Sequence, residues 1–215
     1  RRSVLLQPGA LQVILPDWFP TNHEETVSFL ERMAESAQGI GLILYNPPHA
    51  KQVLSPKQIG FLASRVPSLI GVKTAGGSKE WYAQMREHLS ALSVFVPGHR
   101  LASGIRNGAQ GAYSNIACLN PTAAQIWTNQ MKTDMSGALE VEQRLNEFMT
   151  ECIRPFITKM QFSNAAADRF MAVLGQWTDI GDKMRWPYLA IPSHEADRIR
   201  PIAERLIPEF TPHRV

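Results

Sequence analysis

Two apolar segments of the sequence end in side chains that can do chemistry. One ends in Tyr45, directly before the rigid turn Asn46-Pro47-Pro48, and the other, Leu69–Lys73, ends in a lysine. A lysine at the tip of an apolar strand is partly desolvated, and desolvation favours the neutral amine that attacks carbonyl carbons. Lys73 is therefore a candidate for Schiff-base formation, and Tyr45 supplies a phenol at the end of another strand. Each residue also has a plainer interpretation, because Lys73 can extend to water and Tyr45 can pack as an ordinary aromatic.

The elements that must position these residues alternate between strand and helix. Short apolar runs are typical of buried strands. Five such runs occur: Ala10–Leu15, Ile40–Tyr45, Leu69–Lys73, Ser93–Val96 and Gly111–Ser114. Helix-start signals lie between them, such as Thr21 or Asn22 followed by Glu24 and Glu25, and the pair Ser55-Pro56. The alternation predicts an α/β protein with a parallel sheet, in which chemistry occurs at the carboxyl ends of the strands.

After Pro121 the pattern changes to helices alone. The predicted helices are Pro121–Lys132, Ser136–Ile153, Asn164–Leu174 and Ser193–Leu206. We therefore expect a sheet-containing portion over residues 1–132 and a C-terminal helical domain over residues 133–215. Three tryptophans in this region, Trp127, Trp177 and Trp186, are predicted to pack in the core, with an oligomer contact as the alternative.

The pattern leaves two architectures to weigh. A doubly wound sheet normally opens with a phosphate-binding G-x-G-x-x-G turn, which this sequence lacks. A closed barrel needs eight strands and typically about 250 residues before any extra helices, more than this chain supplies.

Composition excludes several function classes. The chain has 215 residues, with 22 Lys and Arg against 19 Asp and Glu, and this net charge of +3 makes a nucleic-acid partner improbable. Cys118 and Cys152 form no disulfide framework, which favours a reducing, cytoplasmic setting, and no apolar run is long enough to span a membrane. The histidines show no metal-ligand spacing, and no serine-hydrolase elbow or Walker loop occurs. We expect no metal and no cofactor.

Three motifs together resemble one enzyme family. The turn Tyr45-Asn46-Pro47-Pro48, the strand end Gly71-Val72-Lys73 and the segment Gly111-Ala112-Tyr113-Ser114-Asn115 are similar, in order and spacing, to the dihydrodipicolinate synthase and N-acetylneuraminate lyase family. The likeness covers about Ala10 to Phe210. The resemblance implies a (β/α)8 TIM barrel with a C-terminal helical extension, in which the five strands correspond to the fourth through eighth. Because three βα units are then missing and the sequence opens on Arg1, we expect the physical protein to be longer.

The resemblance also implies roles for individual residues. Lys73 corresponds to the lysine that forms an imine with pyruvate or a related 2-oxo acid, and Tyr45 to the phenol that relays protons beside it. The remaining implied positions bind substrate. Gly76, with Gly77, allows close backbone approach. Gly111 and Ala112 form a floor beneath the imine, and Tyr113 belongs to the same motif. Gly98, His99 and Arg100 form a short specificity turn.

Three departures from the family pattern limit how far the function of the family can be assigned to this chain. Ala50 stands where the synthase has a carboxylate-binding arginine, and Lys51 can supply charge without the bidentate geometry. Trp18 stands near the place of a second proton-relaying tyrosine and can only donate a hydrogen bond. His99 and Arg100 could bind an acidic or sugar-like tail, or simply be solvated loop residues.

The function expected from the resemblance is that of a class I, Schiff-base-forming lyase or synthase, which makes or breaks a C–C bond between a 2-oxo acid and an aldehyde. Three alternatives remain: a 2-keto-3-deoxy sugar acid aldolase or dehydratase on the same scaffold, a non-catalytic 2-oxo acid binding barrel, and an unrelated phosphate-binding barrel. The expected partners are the small molecules and further copies of the chain, as a homotetramer or dimer, without nucleic acid or membrane.

Overall fold

Five parallel strands form one sheet in the order β1-β2-β3-β4-β5, in a computed structural model that describes residues 2–211. The strands are β1 (Ala10–Ile14), β2 (Gly41–Tyr45), β3 (Leu69–Lys73), β4 (Ser93–Pro97) and β5 (Gly111–Tyr113). All five predicted strands are confirmed, with each end within one residue. The predicted α/β class with a parallel sheet is confirmed as well.

Ten α-helices accompany the strands within the described residues. They are α1 (His23–Ala37), α2 (Pro56–Arg65), α3 (Lys79–His88), α4 (Leu101–Arg106), α5 (Ile116–Leu119), α6 (Pro121–Gln130), α7 (Met135–Phe148), α8 (Arg154–Thr158), α9 (Asn164–Gly175) and α10 (His194–Leu206). Short 3₁₀ turns cover Arg2–Leu6, Gly98–Arg100 and Pro208–Phe210, and a π-helical turn covers Met149–Ile153. In residues 2–211 no helix is both long and apolar enough to cross a membrane.

Local capping chemistry starts the helices where the sequence predicts. The Asn22 side chain accepts the Glu25 N–H at 2.9 Å, while the Glu25 carboxylate accepts the Asn22 N–H at 2.8 Å. Ser55 and Gln58 form the same reciprocal pair at the start of α2, with Pro56 in the first helical position. These bonds satisfy N–H groups that the first helical turn leaves unpaired, so they set the boundaries of α1 and α2.

The strand order is sequential from one edge of the sheet to the other. A doubly wound sheet reverses direction at a switch point, and this sheet has none. Successive right-handed crossovers without reversal place their helices on the same face of the sheet. The buried cluster agrees, because strand residues such as Leu44 and Val72 pack with residues of α1, α2 and α3, among them Leu30, Ile59 and Met85.

The opposite face of the sheet carries the two residues that the sequence singled out, Tyr45 and Lys73. Strand register aligns Tyr45 of β2 with Lys73 of β3, Lys73 with Phe95 of β4, and Phe95 with Gly111 of β5. Side chains alternate between the two faces of a strand, so residues in register share a face. The burial of Leu44 and Val72 on the helix-covered face thus leaves Tyr45 and Lys73 on the other face.

The described chain divides into two compact units, residues 2–97 with 107–113 and residues 98–106 with 114–211. The first unit contains the whole sheet and α1 to α3. The second contains α4 to α10 around a core that includes Leu145, Phe148, Phe156 and Met171. The predicted domain limits, 1–132 and 133–215, stay a prediction, and their last four residues lie outside the described part of the chain.

One predicted helix of the second unit differs from a regular α-helix. The segment predicted as Ser136–Ile153 is α-helical through Phe148 and then forms the π-helical turn Met149–Ile153 before α8. Pro155 lies two residues after this turn. In a regular α-helix its N–H would donate to the Glu151 carbonyl, and proline has no N–H to donate. The wider turn accommodates that missing bond, which the apolar periodicity alone could not indicate.

The core prediction for the three tryptophans is confirmed for one and wrong for another. Trp127 is 3% exposed and donates its indole N–H to the Ala138 carbonyl at 3.0 Å. Trp177 is half-exposed and donates to the Cys118 carbonyl at 2.8 Å, whereas Trp186 is 93% exposed. Trp186 lies in the irregular connection between α9 and α10, where no helix face directs it inward.

Candidate active site

The carboxyl ends of three strands bring two aromatic rings to Lys73. Tyr45 is the register partner of Lys73, and the Lys73 Nζ lies 4.1 Å from the centroid of the Tyr45 ring. The same Nζ lies 5.0 Å from the ring centroid of Tyr113 on β5. Both separations are within cation–π range. The two residues singled out in sequence are thus in contact, and Tyr113 joins them.

Backbone and side-chain hydrogen bonds fix the end of β2 beside the end of β3. The Asn46 N–H donates to the Lys73 carbonyl at 3.0 Å. The Asn46 side chain, 4% exposed as a residue, donates to the Gln52 carbonyl at 2.9 Å and accepts the Leu54 N–H at 2.7 Å. Asn46 therefore shapes the whole turn after Tyr45. Asn46 belongs to the motif Tyr45-Asn46-Pro47-Pro48, but no role was assigned to it from the sequence. An asparagine directly after a buried strand is typical of a residue whose side chain hydrogen-bonds the backbone of the following turn.

The Phe95 ring on β4 lies between glycines of the two neighbouring strands. A Cβ on Gly71 would lie 2.9 Å from the Ser93 carbonyl oxygen and 3.5 Å from the Phe95 ring, and one on Gly111 would lie 3.4 Å from that ring. Phe95 in turn meets Tyr113 edge-on, with centroids 5.2 Å apart and an interplanar angle of 75°. Phe95 was missed in sequence, because its position opposite Lys73 depends on strand register.

The two residues predicted to form a floor beneath the imine lie on different faces. Gly111 is aligned with Phe95 and shares the face of Lys73, whereas Ala112 is aligned with the buried Val96 and belongs to the other face. The alternation of a strand is the reason, since neighbouring residues cannot both point the same way.

The loop after Lys73 needs glycine at Gly76. This residue has a φ of +70°, which side-chain-bearing residues rarely adopt, and a Cβ there would lie 2.9 Å from the Tyr82 hydroxyl. Its N–H donates to Thr74 Oγ1 at 3.2 Å. A Cβ on Gly77 would overlap the Trp81 side chain, and Ser78 then caps α3. The backbone path after Lys73 thus depends on glycine at position 76, and the predicted contribution of Gly76 to substrate binding stays a prediction.

A cavity of about 170 Å³ lies at the carboxyl ends of β1 and β2. Its lining residues are Ile14, Leu15, Pro16, Asp17, Tyr45, Asn46, Pro47, His49, Ala50 and Gln52. Tyr45 is therefore common to the cavity and to the contact with Lys73. Ala50, where the resemblance implies an arginine in the synthase, lines the cavity directly, and the lining set contains no lysine or arginine.

Lys51 and Trp18, both predicted to bind substrate, are engaged with each other. The Lys51 backbone N–H donates to Asp17 Oδ1 at 2.9 Å, its Nζ donates to the Trp18 carbonyl at 2.9 Å, and the Nζ lies 5.4 Å from the Trp18 ring centroid. The Trp18 side chain is 85% exposed. These contacts tie the loop after β1 to the turn after β2, and they engage the Lys51 ammonium group with Trp18.

The predicted specificity turn Gly98–Arg100 belongs to the second unit and is built around His99. A Cβ on Gly98 would collide with Ser114 and approach Asn115 Oδ1 to 2.9 Å. The His99 ring nitrogen Nδ1 lies 3.1 Å from the Asn115 amide nitrogen, and the His99 carbonyl accepts from Asn146 at 3.0 Å. Burial lowers the pKa of His99, and the Arg100 and Arg154 charges add to this, while the Asn115 bond opposes it. Arg100 is exposed.

The two cysteines and the remaining potential metal ligands show no sign of a second reactive centre in the described residues. Burial raises the pKa of both Cys118 and Cys152, with neighbouring carboxylates adding to the effect, so both favour the thiol form. Across residues 2–211, no group of three or more His, Cys, Asp or Glu side chains is placed to hold a metal ion. His213 lies outside the described residues.

Comparison with known proteins identifies the fold. No protein-family model and no curated protein matches the chain. Among solved structures, it is similar to YagE, an Escherichia coli K12 prophage protein of the dihydrodipicolinic acid synthase family in complex with pyruvate, with a TM-score of 0.76 and 18% identity over 92% of this chain and 66% of that one.

Two further structures give the same result. The dihydrodipicolinate synthase of Thermotoga maritima matches with a TM-score of 0.76 and 14% identity, over 95% of this chain and 68% of its own. The N-acetylneuraminate lyase of Fusobacterium nucleatum matches with a TM-score of 0.74 and 17% identity, over 94% and 67%. This chain spans about two thirds of the length of the structures it matches. The resemblance seen in the sequence motifs is therefore confirmed at the level of fold: nearly the whole chain folds like dihydrodipicolinate synthase and N-acetylneuraminate lyase family structures.

Proposed function

We propose that the protein is a Schiff-base-forming lyase or synthase that uses Lys73 and Tyr45 to make or break a C–C bond in pyruvate or a substituted 2-oxo acid. The observation that carries the proposal is the pairing of an amine and a phenol-bearing ring, 4.1 Å from Nζ to centroid, at the carboxyl ends of adjacent parallel strands. An enzyme of this kind needs a nucleophilic amine and a proton carrier within reach of the same carbon.

The reaction follows from these two groups. The neutral Lys73 amine attacks the C2 carbonyl, a proton is taken up and water leaves, which gives a protonated imine. That cation accepts electrons, so C3 loses either a proton or an aldehyde fragment and becomes part of a neutral enamine. The Tyr45 hydroxyl carries protons to and from the substrate oxygens during these steps. Reversal with another aldehyde makes the new C–C bond, and water finally releases the product from Lys73.

We also propose that the five strands correspond to the fourth through eighth strands of a (β/α)8 barrel. Their sequential order without a switch point supports this, as does the coverage of about two thirds of barrel-family chains. The barrel arrangement places reacting groups at the carboxyl ends of strands, where Tyr45 and Lys73 lie.

A 2-keto-3-deoxy sugar acid aldolase or dehydratase is a second candidate, and the cavity beside Tyr45 favours it. The cavity wall has Ala50 where a carboxylate-binding arginine would be needed, and it includes the Asp17 carboxylate. Lys51 is committed to Trp18. A wall with a carboxylate and no cation suits a neutral hydroxylated aldehyde better than one carrying its own carboxylate.

The test is borohydride reduction of the purified protein in the presence of pyruvate, read by intact mass and peptide mapping. We expect one reduced adduct, located on Lys73 and absent from the Lys73→Ala variant. Lys79→Ala is the matched control, because Lys79 is an exposed lysine at the start of α3. Adduct formation that persists in Lys73→Ala, or no adduct in the unaltered protein, would refute the proposal.

An aldehyde panel then separates the candidates. With pyruvate present, the second candidate predicts faster turnover of glyceraldehyde than of succinic semialdehyde, and the Ala50→Arg variant should shift this preference toward the carboxylate-bearing aldehyde by about tenfold, the worth of one good charged hydrogen bond. An adduct on Lys73 without turnover of any aldehyde would instead indicate a 2-oxo acid binding protein.

A further inference from the structure

The proposed chemistry needs one amine and one proton carrier, yet a second ring faces the same nitrogen. Lys73 lies on β3, Tyr45 on the neighbouring β2, and Tyr113 on β5 at the far side of β4. The two rings therefore approach Nζ from the two sides of β3, at 4.1 and 5.0 Å. With the proton relay assigned to Tyr45, the ring of Tyr113 has no part in the proposed proton transfer.

We infer that Tyr113 is a positioning residue whose ring face holds the Lys73 nitrogen when that nitrogen carries the positive charge of the protonated imine. The inference rests on the proposed function and goes beyond it, since it assigns the role to the ring and not to the hydroxyl. An aromatic face is the negative end of the ring quadrupole and attracts a cation above it.

The charge on Nζ changes during the reaction, so attraction by the ring stabilises some states of Lys73 more than others. Amine, carbonyl compound and one proton combine to give the protonated imine and water, so the cation exists in the imine but not in the neutral amine or the enamine. A ring that attracts the cation favours the imine over the free amine and substrate. It also keeps the long lysine side chain pointed at one place instead of extending it to water.

The neighbours of Tyr113 are arranged to hold the ring in that position. Phe95, the register partner of Lys73, meets the Tyr113 ring edge-on at 5.2 Å, and Gly111 lies against the Phe95 ring. Tyr113 itself is 42% exposed, so the fold does not depend on burying it. A substitution at Tyr113 can therefore be expected to leave the protein folded.

The experiment measures the pyruvate concentration that gives half-maximal borohydride trapping on Lys73 in the full chain. In Tyr113→Leu this concentration should rise about two- to fivefold, the range expected for a cation–π contact at a partly exposed site, while Tyr113→Phe should remain near the unaltered protein. Tyr188→Leu is the matched control, because Tyr188 is 61% exposed and lies in the other unit. An equal loss in the Phe and Leu variants would overturn the inference.

A fluorination series separates attraction by the ring from mere packing. Phenylalanines with one, two and three ring fluorines at position 113 keep nearly the same size while withdrawing electrons from the ring face. The half-maximal concentration should rise stepwise with each fluorine. A flat series would show that the ring only fills space, and the inference would fall.

A readout without imine chemistry distinguishes failure of this inference from failure of the proposed function. Reductive ¹³C-methylation labels the lysine amines, and the Lys73 resonance is identified by its loss in Lys73→Arg. Two ring faces should displace that resonance through their ring currents, and Tyr113→Leu should move it back toward the other lysines. If pyruvate gives no adduct, the proposed function fails; if the resonance is unmoved by Tyr113→Leu, the positioning role fails.

Discussion

Acidification should destabilise this protein through His99, and the effect can be worked out from its surroundings. Burial is the largest cause that lowers the pKa of His99 in the folded chain, with Arg100 and Arg154 adding to it and Asn115 acting against it. In the unfolded chain the imidazole titrates near its usual value of about 6.5. Between these two values the unfolded state carries the extra proton, so the free energy of unfolding falls as pH falls.

The slope sets the expected magnitude. One proton bound only by the unfolded state changes the free energy of unfolding by at most about 1.4 kcal/mol per pH unit. The loss begins near pH 6.5 and ends once the folded imidazole also takes up its proton. Well above the unfolded pKa of about 6.5 the group contributes no pH dependence, because it is neutral in both states.

Urea unfolding of the unaltered protein and of His99→Gln, followed from about pH 8 to pH 5, isolates this contribution. Groups that both proteins share contribute equally and cancel in the difference. The unaltered protein should lose stability relative to the variant only below about pH 6.5. A difference that is constant over the whole range, or an unaltered protein that gains on the variant as pH falls, would contradict the burial argument.

Three further outcomes are expected. Tyr45→Phe should lower turnover by about 10²- to 10⁴-fold, since a general acid–base is lost, while trapping on Lys73 persists; equal loss of trapping would contradict the proton-relay role. Gly98→Ala should lower the free energy of unfolding by about 1–3 kcal/mol in urea, because the new methyl group meets Asn115 Oδ1 at 2.9 Å, and unchanged stability would refute this close approach. Glu209→Gln should lower the free energy of unfolding by about 0.3–1 kcal/mol near pH 7 in the same assay, because the hydrogen bond from the partly exposed Arg144 lowers the Glu209 pKa. This cost should vanish as pH falls through the lowered pKa, and a cost that survives strong acid would point to a different origin.

Local structure follows from the sequence with good fidelity. The strand Leu69–Lys73 is predicted and observed at the same residues, and α1 begins after Asn22, one of the two predicted caps. Both depend on forces that act within a few positions of the chain, namely apolar runs and capping hydrogen bonds. Lys73 and Tyr45 could be found for the same reason, since each ends such a run.

The partners of Lys73 depend on tertiary structure. Tyr113 is 40 positions further along the chain and reaches Nζ only because β4 and β5 pair in one particular register. A shift of one residue would move its ring to the opposite face of the sheet. The same alternation separates Gly111 from its neighbour Ala112.

The surroundings of charged and aromatic residues were likewise undetermined by sequence. Lys51 carries a charge beside the cavity, but its contacts with Trp18 and Asp17 join two loops more than 30 positions apart. Trp186 is exposed, although a large aromatic side chain predicts burial. It lies in the irregular connection between α9 and α10, where no helix face directs it into the core. The sequence by itself determined which residues can react and where each strand ends, since those properties are local. Only the tertiary structure decided which rings, loops and charges surround Lys73, because strand register and loop closure depend on contacts between distant segments.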